Sequence, residues 1–126
     1  MSQTIQPFRV NEKTSARYAC VIKDENEVAI PAASLTTLTL TLYDQTSDGI
    51  INSRSAQNVL NANGVTVDSS GNLVWVLDPA DNLIVGTTVP QNSYERHVAL
   101  FTYTYNAGRT GRTEVQIAVL NLNKVS

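Results

Sequence analysis

The chain has 126 residues, with 9 lysines and arginines against 11 acidic residues and a net charge of −2. At 42% apolar, 16% charged and 6% aromatic residues it suits one folded domain, neither a disordered tail nor a membrane-spanning protein. The slight acidity argues against nucleic acid as a partner, no apolar run approaches the roughly 20 residues that cross a bilayer, and Met1-Ser2-Gln3-Thr4 lacks the features of a secretory leader.

Apolar residues recur mostly at period two, and clusters of Gly, Asn, Asp and Pro separate the runs, which predicts strands rather than amphipathic helices. Residues 1–14 read as a polar N-terminal arm carrying Ile5, Phe8 and Val10, ahead of a single β-domain over residues 15–126. Arg17 to Ile22 predicts the first core strand. Cys20 within it has apolar neighbours and no base beside it, so it reads as a small buried hydrophobe. A lone thiol is compatible with synthesis in a reducing cytoplasm. An acidic turn from Lys23 to Glu27 leads to Val28-Ala29-Ile30-Pro31, whose proline marks an edge or a strand end.

From Leu35 to Tyr43, Leu38, Leu40 and Leu42 alternate with Thr37, Thr39 and Thr41, which predicts a half-buried strand with its leucines in the core. Asp44 to Gly49 reads as a turn, Ile50 to Asn52 as a short return strand, and Ser53 to Asn61 as a helical turn or long loop. Asn63-Gly64 and Asp68 to Gly71 are turn signals around Val65 to Val67, and Asn72 to Leu77 completes a hairpin. Leu73 to Leu77 is apolar on both faces, so Val74 and Val76 need a loop, a terminal segment or another chain to cover them.

Asp78 and Pro79 read as the start of a short helical turn. Asp81, three residues on, reads as solvated or bonded to local backbone, because a calcium loop needs more oxygen donors at alternating positions. Gln91 to Tyr94 reads as loop, and His97 to Tyr105 as a long strand. The turn Asn106 to Gly111 joins that strand to Arg112 to Leu122, which places Thr113, Val115, Ile117 and Val119 on one face. His97, beside Glu95 and Arg96, reads as a neutral imidazole at a sheet edge, since no motif supplies it with a nucleophile. Phe101, Tyr103 and Tyr105 share a face, as a core wall or as a stacking platform for sugars or proteins. Arg109 and Arg112 flank a hairpin tip, solvated or facing an acidic neighbour.

Seven or eight short strands predict an all-β, antiparallel sandwich. One Cys and one His leave no disulfide framework, zinc knuckle or nucleophilic triad, so no catalytic residues, cofactor or metal are expected. The expected contact residues are Ile5, Phe8, Val10, Val74, Val76, Arg109 and Arg112.

Leu77-Asp78-Pro79-Ala80-Asp81, leading into a strand with alternating aromatics, resembles the turn after the fifth strand of immunoglobulin-like sandwiches. A longer stretch, roughly Leu35 to Leu122, resembles small virion structural proteins of tailed bacteriophages. It is carried by Leu38-Thr39-Leu40-Thr41-Leu42-Tyr43-Asp44, Ile50-Ile51-Asn52-Ser53-Arg54, Gln57-Asn58-Val59-Leu60-Asn61, the run from Gly71 to Asn82, and Arg96-His97-Val98-Ala99-Leu100-Phe101. The resemblance implies an immunoglobulin-like β-sandwich without enzymatic activity, made in the host cytoplasm and located in the virion. It would be a capsid decoration or cement (minor capsid) protein that binds its own copies and the major capsid protein, or else a head–tail connector or tail component. The other class of function is a carbohydrate- or surface-binding module that uses Trp75, Tyr103 and Tyr105.

Overall fold

Period-two alternation does build this molecule. In a computed structural model, which describes residues 8–85, 93–106 and 108–121, eight strands carry it. They are β1 (Phe8–Asn11), β2 (Ala16–Val21), β3 (Leu35–Asp44), β4 (Gln57–Asn58), β5 (Val65–Val67), β6 (Asn72–Leu77), β7 (Tyr94–Tyr105) and β8 (Arg109–Leu120). They form a five-stranded sheet in the order β1-β8-β7-β3-β4 and a three-stranded sheet in the order β2-β6-β5.

Leu38, Leu40 and Leu42 of β3 are fully buried, as the Leu–Thr alternation requires. The same alternation turns Leu73, Trp75 and Leu77 of β6, Phe101, Tyr103 and Tyr105 of β7, and Val115, Ile117 and Val119 of β8 into one core between the sheets. Trp75 meets Phe101 edge-to-face across that core, ring centroids 5.6 Å apart. Tyr103 lies directly opposite Gly111 in the β7–β8 ladder, and a Cβ on Gly111 would stand 2.4 Å from the tyrosine ring. Only glycine leaves that ring room to lie flat over β8.

Three expectations are corrected. The arm drawn over residues 1–14 contains a strand of the domain itself: β1 pairs parallel with β8, Val10 opposite Val119, so the sandwich is not wholly antiparallel. Val10 belongs to the core, and Phe8 packs edge-on against Tyr18 at 5.6 Å. Ile50 to Asn52 is no strand; it makes a single bridge, Ile50 to Tyr43, because Asn52 and Ser53 both take positive φ and leave the extended region. Between Ser53 and Asn61 the chain makes no helical turn but adds β4 beside β3. The helical turn after β6 does form, as a 3-10 turn over Pro79–Asn82.

Truncating Leu40 to Ala removes a fully buried side chain from a core shared by both sheets. Urea unfolding should show a loss of about 2–5 kcal/mol.

Candidate functional site

The two faces of β2 and β6 have opposite fates. Trp75 and its neighbours commit one face to the core. On the other, the register places Arg17 beside Val76, Ala19 beside Val74 and Val21 beside Asn72. Thr66 of β5 continues the row beside Val74. Val76 is 49% and Val21 43% exposed, so the centre of this outer face is apolar and open to water. A shallow depression of ≈ 440 Å³ runs along it between Arg17 at one end and Asp68 and Asn72 at the other. Strand β2 forms the edge of its sheet among the described strands, so its outer backbone groups can pair with another chain.

The rim is charged in a fixed way. Asn72, through its side chain and backbone N–H, and the Ser70 N–H donate to Asp68 and hold its carboxyl below the ordinary carboxylate range. Cys20 lies on the core-facing side of β2, beside Leu73, and is half-buried there rather than fully buried as expected. Burial pushes its thiol up, with partial relief from the Tyr18 hydroxyl. Tyr18 is pushed up to about 12 by burial and by Cys20. A thiol shifted this way is a poor nucleophile at neutral pH. The outer face itself, with Ala19, Val21, Val74 and Val76, suits apolar contact.

The other expected contact residues scatter. Ile5 lies outside the described residues. Phe8 and Val10 are used inside the domain. Arg109 is engaged by Glu25 of the same chain, which also accepts a hydrogen bond from the Tyr105 hydroxyl at 3.0 Å. Arg112 lies opposite Thr102 on the outer face of the five-stranded sheet, so the two arginines do not form one patch. Of the two readings of the aromatic face, the core wall holds: Trp75, Tyr103 and Tyr105 are at most 5% exposed and have no free ring face for a sugar.

Two buried polar centres escaped the sequence. In the first, Asp81 is not solvated but fully buried, and Arg54 grips it with Nε to Oδ1 at 2.6 Å and Nη2 to Oδ2 at 3.1 Å. The Asn52 amide and the Asp78 N–H donate to the same carboxylate, both at 2.8 Å. Arg54 also reaches Gln57 and the Asn63 carbonyl and lies 5.8 Å from the Trp75 ring centre. In the second, His97 is no edge residue. It is fully buried in β7, an inner strand, opposite Asp44 of β3. Its Nε2 meets Glu95 Oε1 at 2.6 Å, and the Val85 N–H donates to that same oxygen at 2.9 Å. Asp44 Oδ2 accepts from the N–H and hydroxyl of Ser47 at 3.1 and 2.8 Å. Placing the strand start at Tyr94 would have exposed this centre, since Glu95, His97, Ala99 and Phe101 then share the inward face.

No helix of the described residues is long and apolar enough to cross a membrane. Comparison with protein-family models, with curated proteins and with solved structures finds no match for this chain.

Replacing Arg54 with Ala strands the Asp81 carboxylate in the core and should cost about 3–5 kcal/mol in chemical denaturation. The Tyr18 hydroxyl supplies a pH dependence. Its folded pKa of about 12 exceeds the value near 10 of an unfolded tyrosine, so its contribution is complete below about pH 10 and is lost as the pH rises toward 12. Tyr18→Phe should therefore lose less stability than the parent between pH 9 and 11, on the order of one alkaline titration step.

Proposed function

We propose that the chain is a non-enzymatic structural protein of a tailed-phage virion, a capsid decoration or cement protein that packs against its own copies and the major capsid protein. The observation that carries the reading is the outer face of the β2-β6-β5 sheet, where Ala19, Val21, Val74 and Val76 lie side by side next to an edge strand. An apolar sheet face left open to water is costly for a protein that works alone and useful to one that works in a shell. A stable contact buries at least ~1,000 Å² in total, so this face would meet its partner together with the β2 edge.

The virion assignment draws on the likeness of Leu35 to Leu122 to phage structural proteins. The immunoglobulin-like assignment draws on strand order. If β2 to β8 are lettered B, C, C′, D, E, F and G, the sheets become B-E-D and G-F-C-C′, the arrangement of immunoglobulin sandwiches. A connector or tail component is the alternative place in the same particle. Many copies per shell would favour decoration, and a single ring of copies a connector.

Sedimentation of the full chain at rising concentration, alone and with isolated particles, tests the reading. Association and co-sedimentation are expected, and they should persist in high salt because the contact is apolar. Val76→Asp should abolish both while leaving thermal unfolding within a few degrees of the parent. A chain that stays monomeric and never joins particles would overturn the proposal.

A further inference from the structure

We propose that Asp44, Glu95 and His97 form a binding site for one divalent transition-metal ion of the zinc type, at the end of the core where β3 and β7 run side by side. In the sequence only Glu95 and His97, two residues apart on one strand, stand near each other; Asp44 joins them through the β3–β7 register. Asp44 is the cross-strand partner of His97, and Glu95 lies two residues before His97 on the same face. All three are buried, and one donor atom from each lies within 4.8 Å of the other two.

The second observation is independent of that proximity. Asp44 Oδ1 and His97 Nδ1 are both buried and have no hydrogen-bond partner, although Asp44 is 3% and His97 0% exposed. Buried polar atoms are almost always paired, so two orphans in one cluster call for a ligand that accepts electron pairs. The ring geometry says which pairs are on offer. Glu95 Oε1 takes the proton side of the ring at Nε2, 2.6 Å away, so the neutral imidazole carries its lone pair on Nδ1. A carboxylate behind a histidine that ligates through its other nitrogen is the usual way a metal-bound imidazole is oriented.

Charge points the same way. A divalent cation would meet the orphan Oδ1 of the buried Asp44 carboxylate with charge of the complementary sign. An imidazole nitrogen with carboxylate oxygens suits zinc and its first-row neighbours, whereas calcium and magnesium prefer shells made of oxygen alone. His97 Nδ1 and Asp44 Oδ1 would bind the ion directly, and Glu95 would hold the ring. Such an ion would brace three separate pieces of chain: the Asp44–Ser47 turn, the Val85 backbone and the start of β7.

The test uses the full, untagged chain, unfolded in the presence of a chelator and refolded with or without zinc chloride. Mass spectrometry and titration calorimetry should find one zinc per chain, and the zinc-refolded protein should melt at a higher temperature, an increment that added chelator removes. Cobalt in place of zinc should give visible absorption bands of a ligated ion. Asp44→Asn and His97→Gln should each abolish stoichiometric binding, and Glu95→Gln should weaken it about 10- to 100-fold, as for a group that orients a ligand. A wild-type protein that refolds to the same midpoint without retaining zinc would overturn the proposal and leave a bridging water between the two orphans. Zinc retained equally by the Asp44 and His97 variants would overturn it too, as adventitious binding elsewhere. The wild-type comparison decides the matter even if a variant fails to fold.

Discussion

The edge-to-face contact of Trp75 in β6 with Phe101 in β7 joins the two sheets at the middle of the core, and the rest of the fold is arranged around it. A chain with one cysteine has no disulfide to tie sheet to sheet, so apolar packing must do so. Leu38, Leu40 and Leu42 fill the same core from β3, and Val115, Ile117 and Val119 from β8. Arg54 lies against the tryptophan and is held by Asp81, which the 3-10 turn after β6 positions. The buried ion pair is costly to desolvate, yet it fixes where the loop after β3 must lie relative to the end of β6.

Anchoring Trp75 has a consequence on the opposite side of the strand. Side chains alternate, so the register that buries Leu73, Trp75 and Leu77 turns Val74 and Val76 outward, and a slip of one residue would exchange the two sets. Nothing in the core requires the outward pair to be valine. Polar residues there would leave the fold intact, as the threonines on the outer face of β3 do. The apolar choice is therefore best understood through what the face touches, which is the basis for placing this chain in an assembly.

What could be read from the sequence was local and periodic. The Leu–Thr alternation of β3 and the inward faces of β7 and β8 follow from a two-residue repeat, the Asn72 to Leu77 strand from an apolar run bounded by turn residues, and the turn at Pro79 from the chemistry of its residues. What could not be read depends on distant segments meeting. β1 is four residues long and pairs with a strand more than a hundred positions away, so its Phe-x-Val pattern looked like a loose arm. Asp81 does bond local backbone at the Asp78 N–H, as one of its two expected roles requires, but its burial and its pairing with Arg54, 27 residues off in a loop without period, are not legible. The Asp44–Glu95–His97 centre depends on pairing between β3 and β7, which no spacing in the sequence encodes. Of the candidate site, Val74 and Val76 were legible from the doubly apolar strand, whereas Val21 and Ala19 gained their meaning only from lying beside them.

Hydrogen exchange followed as a function of protein concentration tests most directly whether the β2-β6-β5 face is a contact surface. The account predicts that backbone amides of β2 and peptides covering Val74 and Val76 exchange more slowly as concentration rises, while those of β7 and β8 do not change. Exchange in β2 and β6 that is independent of concentration, and unaltered when particles are added, would contradict it.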